Sequence, residues 1–183
     1  MIGVVFAAVF THTAVAFFTD IRTRTIPNKW NMSILLCGIG FHLIAGAWNG
    51  LFYALAGTAA MLALTSLLYG IGAIGGGDVK WFAALGAWTG WSFSMLTLTY
   101  TLVIAGGIAL LIFIYQRSIF AILQRWGLTI WHSLVLRSST PLLEAARKPM
   151  KEIPLMLAAL PAVLAVIWFK GVGEAYEALY QWS

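Results

Sequence analysis

Two aspartates, Asp20 and Asp78, are the residues of this chain whose type and placement could do chemistry, and its 183 residues contain no other aspartate. Each lies at one end of a long apolar run, where a carboxylate is costly to place, so its presence indicates a functional role. Two carboxyl groups held close together share a proton, because two like charges at short range are unfavourable. The ionised group can then act as a general base on water while the protonated one polarises a carbonyl. The pair therefore predicts aspartyl-protease chemistry.

Three consecutive glycines, Gly75, Gly76 and Gly77, come directly before Asp78. The absence of side chains would let another backbone approach the acid closely. A helix–helix turn with Asp78 as the N-cap is the structural alternative, but it does not account for three glycines. A phosphate-binding loop is excluded, because the spacing differs and an acid occupies the position of the phosphate.

A short polar connection that contains Arg22, Arg24 and Pro27 follows Asp20. Because proline ends a helix, we expect residues 21–29 to form a connection and Asp20 to lie in the last turn of the first helix. Arg22, Arg24 and Lys80 could contact an acidic residue of a substrate. They could equally be topology determinants beside anionic lipid, and Asp20 could be a solvated boundary residue that pairs with a neighbouring arginine.

The composition places these acids in a membrane protein, because the chain is 61% hydrophobic and only 9% charged, with a mean hydropathy of +0.89. Soluble domains are about 25% charged. We therefore expect an all-α, polytopic membrane helical bundle, with Met1-Ile2-Gly3-Val4 opening a retained span and not a cleaved signal. About six spans are predicted, at residues 2–19, 31–48, 51–73, 79–91, 93–115 and 153–169.

The basic residues predict the orientation of these spans. With six spans and the N-terminus outside, ten of the 11 Lys and Arg residues fall on one side, and Lys170 alone falls on the other. Basic residues concentrate on the cytoplasmic side, so both aspartates are expected there. The basic loop at about 116–152 is expected to be cytoplasmic, either as an amphipathic segment on the inner leaflet or partly as an extension of the fifth helix. We expect residues 1–183 to form a single membrane-embedded domain.

Other polar residues within the apolar runs favour a structural interpretation. His12 and His42 fall near mid-membrane and could face each other, but without a third ligand, hydrogen bonding inside the bundle is favoured over a metal site. The single cysteine, Cys37, excludes a disulfide framework and a Cys-rich zinc site. The glycines of Gly86-x-x-x-Gly90 and the pair at 106–107 predict close helix packing. We expect no metal, no cofactor and no nucleic-acid partner.

The two acidic motifs together resemble those of the type IV prepilin peptidases, membrane aspartyl proteases with a Gly-x-Gly-Asp signature. The resemblance rests on Asp20-Ile-Arg-Thr-Arg-Thr-Ile-Pro-Asn28 and on Gly75-Gly-Gly-Asp78-Val-Lys80. It implies that Asp20 and Asp78 are the catalytic pair. It also implies that the substrate is a prepilin-like protein, whose short basic leader is removed at the cytoplasmic face of the inner membrane, after a glycine that precedes the hydrophobic segment.

The sequence is similar to the short members of that family, such as the peptidases of tight-adherence (Flp-type) pili. Larger members carry paired Cys-x-x-Cys motifs, a zinc site and N-methyltransferase activity, which Cys37 alone cannot supply. Archaeal-type preflagellin peptidases are an alternative. A proton-coupled small transporter is another, although transport sites usually lie at the membrane midplane and these acids lie at one boundary. A non-catalytic scaffold for pilus assembly is the third. The sequence leaves the oligomeric state unknown.

Overall fold

The computed structural model describes residues 2–115 and 155–180, and these residues form four helices and no strand. The helices are α1 (Ile2–Thr23), α2 (Asn28–Gly70), α3 (Gly76–Tyr115) and α4 (Met156–Tyr180). Three stretches, Gly3–Thr23, Asn28–Gly70 and Gly76–Ile112, are long and apolar enough to cross a membrane, and Met156–Phe169 is a shorter apolar helix. The chain is therefore an all-α membrane protein. The predicted loop at 116–152 lies outside the described residues.

The chain divides into two compact units, one made of Met1–Ala105 with Pro154–Ser183 and the other of Gly106–Ile153. Asp20, Asp78 and the start of α4 all belong to the first unit. The single domain over 1–183 stays a prediction.

Both long helices are interrupted by residues with non-helical backbone angles. In α2 these are Gly46 (φ −133°, ψ 18°) and Ala47 (φ 46°, ψ −130°), which divide it into α2a (28–45) and α2b (48–70). The rings of His42 and Tyr53, on either side of the break, lie only 5.1 Å apart. In a continuous helix these positions would be roughly 16 Å apart. The chain therefore turns back on itself at this break.

The break in α3 falls at Gly90, where φ is 68° and ψ is −175°, and divides the helix into α3a (76–89) and α3b (91–115). A side chain is strongly disfavoured in this conformation, so glycine is required here. The hydroxyl of Tyr53 donates a hydrogen bond of 2.8 Å to the carbonyl of Thr89, directly before the break. The predicted division of the apolar stretch near Gly90 is confirmed.

The short helix α3a is enclosed by the other helices of its unit, and every residue from 81 to 90 is buried. On one side His12 of α1 stacks on Trp81, with ring centroids 5.7 Å apart. On another the indole of Trp88 donates to the carbonyl of Ile34 in α2a at 2.8 Å. On a third Gly86 lies against Gly57 of α2b. Because residues 81–90 are buried by the other helices, contacts on several sides define the position of this part of α3a.

Several predicted boundaries are corrected. The first helix continues to Thr23 instead of ending at residue 19, because its backbone leaves the helical conformation only at Arg24, where φ is 52° and the N–H donates to the Asp20 carbonyl at 2.9 Å. The connection is consequently residues 24–27, shorter than the predicted 21–29. The break in α2 precedes the predicted boundary at residues 48–50, and α4 begins at Met156 instead of residue 153.

Close helix packing was predicted at two pairs of glycines, and the structure confirms it for the first pair only. Gly86 and Gly90 do pack closely, against Gly57 and Tyr53. At Gly106 and Gly107 no atom of the described chain lies within 4 Å of an added Cβ, so the close packing predicted there is wrong for the part that the structure describes.

Candidate active site

Asp20 lies in the last turn of α1, as predicted, on the face of the helix that packs against its neighbours. Residues three or four apart lie on the same side of a helix. Asp20 is therefore on the same side of α1 as Val5, Val9 and Ala16, which are all buried. The side chain is half-buried. Its Oδ2 accepts a hydrogen bond from the main-chain N–H of Met156, the first residue of α4, at 3.3 Å.

Asp78 is the third residue of α3, and its side chain is only 9% exposed. Its Oδ2 accepts a hydrogen bond from the N–H of Gly75 at 3.0 Å, while its own N–H donates to the Gly75 carbonyl at 3.1 Å. This pairing is the half of a capping box in which the third helical residue reaches back to the residue before the helix. Gly75, and not Asp78, therefore holds the N-cap position, and the alternative with Asp78 as N-cap is wrong.

The fold brings the two aspartates close enough for their charges to interact. One oxygen of each carboxyl group is held by a main-chain N–H, from Met156 for Asp20 and from Gly75 for Asp78. No hydrogen bond from the described residues reaches the second oxygen of either group. Two fixed carboxyl groups, each with an oxygen that is not engaged by these residues, could share a proton and bind one water molecule between them.

The connection between α1 and α2 packs on the start of α3 and so joins the two acidic motifs. The ammonium group of Lys80 donates a hydrogen bond of 2.7 Å to the side-chain oxygen of Asn28. Ile26 is buried, and its side chain lies 3.8 Å from the Cβ position of Gly77. Sequence reasoning missed the positioning contribution of Ile26 and Asn28. The available signal was the isoleucine directly before Pro27, an apolar residue between polar ones and the proline.

The three glycines before Asp78 are not required by backbone conformation, because none of them has a positive φ. A Cβ would meet only ordinary contacts at Gly76, 3.5 Å from the Tyr69 ring, and at Gly77. At Gly75, which is exposed, it would lie 3.0 Å from Asp78 Oδ2. The fold itself therefore tolerates a small side chain at the second and third positions, and the glycines keep the approach to Asp78 open.

The three basic residues singled out from the sequence are all exposed. Arg24 has a φ of 52°, donates its N–H to the Asp20 carbonyl at 2.9 Å, and lies close enough to the Asp20 side chain for their charges to interact. Lys80 is engaged by Asn28. Arg22 is in the last turn of α1. Arg24 thus lies beside Asp20, and Lys80, from the motif of Asp78, bonds to Asn28 at the end of the motif of Asp20.

Both histidines bond to main-chain carbonyls of α3a, so the predicted hydrogen bonding inside the bundle is confirmed. His12 Nε2 is 3.4 Å from the Trp81 carbonyl oxygen, and His42 Nε2 is 3.0 Å from that of Trp88. These carbonyls are about two helical turns apart, roughly 10 Å, so the expectation that the histidines face each other is wrong. The described residues contain no group of three or more His, Cys, Asp or Glu that could hold a metal.

Comparison with known proteins adds two findings. The profile of the type IV leader peptidase family matches residues 7–111, more than half of the chain and a range that contains both aspartates. A prepilin leader peptidase/N-methyltransferase from Pectobacterium carotovorum subsp. carotovorum is 39% identical over 79 residues, which cover 39% of this chain and 28% of that protein. The match thus spans under a third of the curated relative. No solved structure matches the chain.

Proposed function

Because the chain belongs to the type IV leader peptidase family, we propose that it is a membrane aspartyl endopeptidase that removes the short basic leader from prepilin-like substrates. The observation that carries the proposal is the acid pair. Asp20 and Asp78, the only aspartates of the chain, come from different helices and interact electrostatically. Each is held by one main-chain N–H.

The reaction needs one proton shared between the two acids. The ionised carboxylate takes a proton from water, whose oxygen attacks the scissile carbonyl carbon, while the protonated acid donates a hydrogen bond to the carbonyl oxygen. The resulting tetrahedral intermediate breaks its C–N bond as a proton is transferred to the leaving nitrogen. The exchange is balanced, because water supplies the hydroxyl of one product and a hydrogen of the other. The pair should titrate as a unit.

The surroundings of Asp78 suit an extended substrate backbone. Gly75 is exposed beside the acid, and Gly76 and Gly77 present no side chain. A glycine before the cleaved bond of the substrate would add room from the other side. The apolar segment of the substrate can remain in the bilayer while the bond next to it reaches the end of α1 and the start of α3.

The finer topology also belongs to this proposal: six spans, the N-terminus outside, and the active site on the cytoplasmic side of the inner membrane. The breaks at residues 46–47 and at Gly90 support it, since they fall within the two helices that are too long for one crossing. The concentration of Lys and Arg after the first, third and fifth predicted spans supports the orientation.

The test is co-expression with a candidate Flp-type prepilin or, separately, with a preflagellin, and measurement of leader removal on a gel. Wild type should cleave, and Asp20→Asn and Asp78→Asn should each lose activity below detection, because asparagine keeps the shape and cannot exchange the proton. Gly40→Ala, at a helical position with nothing within 4 Å, is the control and should cleave normally. Cleavage that survives either asparagine variant would overturn the aspartyl mechanism. Wild type that cleaves only a preflagellin would favour the archaeal-type alternative, and wild type without any cleavage would favour a transporter or a scaffold.

A further inference from the structure

The hydrogen bond to the Asp20 side chain comes from a helix that the family match does not include. The profile ends at residue 111, whereas the donor is the main-chain N–H of Met156 in α4. Among the described residues this is the one hydrogen bond that the Asp20 carboxyl group makes. A contact of this kind leaves no signal in the sequence, because any residue other than proline supplies the same N–H.

The bond forms because Leu155, the described residue before α4, has no side chain that can cap the helix. The helix begins at Met156, and the carbonyl of the preceding Leu155 accepts from Ala158 at 2.9 Å and from Ala159 at 3.0 Å. The first N–H groups of a helix have no partner inside it, and a leucine side chain cannot accept a hydrogen bond from them. The Asp20 carboxylate, at the end of a different helix, supplies the missing acceptor.

Packing fixes the donor as well as the acceptor. Helix α4 packs along α1. The side chains of Met156 and Ala159 are fully buried, in the same core cluster as Val9 and Ala16 of α1. Neither the N–H nor the helix that carries Asp20 can therefore move independently of the other.

We propose that the Met156 N–H is a positioning group of the active site: it holds one oxygen of Asp20 so that the other faces Asp78 and the attacking water. The first turn of α4 is then part of the catalytic apparatus. This inference rests on the proposed peptidase function. A hydrogen bond to an ionised carboxylate favours its charged form, so the N–H also keeps Asp20 available as the base.

Two substitutions at one position isolate the N–H. Met156→Ala and Met156→Pro both remove the buried side chain, but only proline removes the donor. Proline suits the first position of a helix, where its fixed φ matches and no intrahelical bond is lost. At equal amounts in the membrane, we expect Met156→Pro to cleave at least about tenfold more slowly than Met156→Ala. A rate difference of this size corresponds to the loss of one hydrogen bond to a charged group. The acid limb of the pH–rate profile of Met156→Pro should also move to higher pH, and that of Met156→Ala should not.

A second pair of variants is used if Met156→Pro does not accumulate. Incorporation of an α-hydroxy acid at position 156 replaces the main-chain amide by an ester, which removes the same N–H without introducing a ring. This ester variant is compared with the chain that carries the amino acid of identical side chain. Equal rates and equal pH profiles in either pair would overturn the inference while leaving the peptidase function intact. A slower proline variant and ester with unshifted pH profiles would also overturn it, because displacement of α4 alone would then suffice. Absence of cleavage by the wild type would remove the proposed function, and this inference with it.

Discussion

Replacement of Gly57 by alanine should destabilise the protein, because α2b and α3a meet there backbone to backbone. A Cβ at Gly57 would overlap the carbonyl oxygen of Gly86 and lie 2.9 Å from the Cα of Gly90. These are main-chain atoms, so no side chain can rotate away, and the two helices must separate. Small residues at such crossings are what allows helices to pack closely within a membrane.

The magnitude follows from comparison with Gly40→Ala, which lies in the other arm of the same helix and meets nothing within 4 Å. Both substitutions gain up to about 1 kcal/mol of helix propensity, so this contribution cancels between them. Overpacking against rigid neighbours costs about 1–3 kcal/mol, and this is the expected difference in the free energy of unfolding between the two variants. For a chain of this length it corresponds to roughly 2–12 °C in Tm.

Thermal unfolding in detergent, followed by the fluorescence of the nine tryptophans, measures this difference. Gly40→Ala should match or exceed the wild type, and Gly57→Ala should unfold at the lower temperature. Cleavage should fall with it, since a displaced α3a carries Asp78 away from Asp20. Equal Tm values for the two variants would refute the close crossing and the enclosed position of α3a.

Two further predictions concern the break in α3 and the hydrogen bond between Lys80 and Asn28, which joins the two acidic motifs. Gly90→Ala should lower the unfolding free energy by about 1–3 kcal/mol through its φ of 68°, with a further loss because its Cβ would overlap the Tyr53 ring. In a chain that already carries Tyr53→Ala, the same substitution should lower Tm by the first part alone, and no loss of Tm in that background would contradict the strain. Lys80→Met should lower the free energy of unfolding by less than about 1 kcal/mol, because the bond between Lys80 and Asn28 is exposed. Asn28→Ala removes the same bond and keeps the charge of Lys80. A KM for the prepilin that rises only in Lys80→Met would therefore assign Lys80 to substrate binding, whereas identical kinetics of the two variants would leave it a structural residue.

The parts of the fold that depend on composition and spacing could be predicted from the sequence. The apolar runs indicated the helices. The uncharged stretch between Lys80 and Arg117 is too long for one span, and the segment Thr89-Gly90-Trp91-Ser92 placed its division near Gly90. The position of Asp20 in the last turn of α1 followed from Pro27, and its nearness to Asp78 was expected from the shared boundary.

What could not be predicted depends on contacts between main-chain groups. The donors to Asp20 and Asp78 are the N–H groups of Met156 and Gly75, which carry no residue-specific signal. The partners of His12 and His42 are likewise carbonyl groups, so the histidines alone suggested that they meet each other. The end of α1 was misplaced because it depends on the positive φ of Arg24, which an arginine does not announce.

The bond between Asp20 and Met156 also has a consequence for the order of biosynthesis. Asp20 leaves the ribosome with the first helix, whereas its donor is not made until α4 is synthesised. During most of translation the carboxylate therefore lacks its partner, and contacts between such distant positions form late in folding. A chain released before α4 would have both aspartates and both motifs, and still lack the group that orients the first acid. Synthesis of α4, the last described helix, would thus complete the proposed active site only after the rest of the first unit has been made.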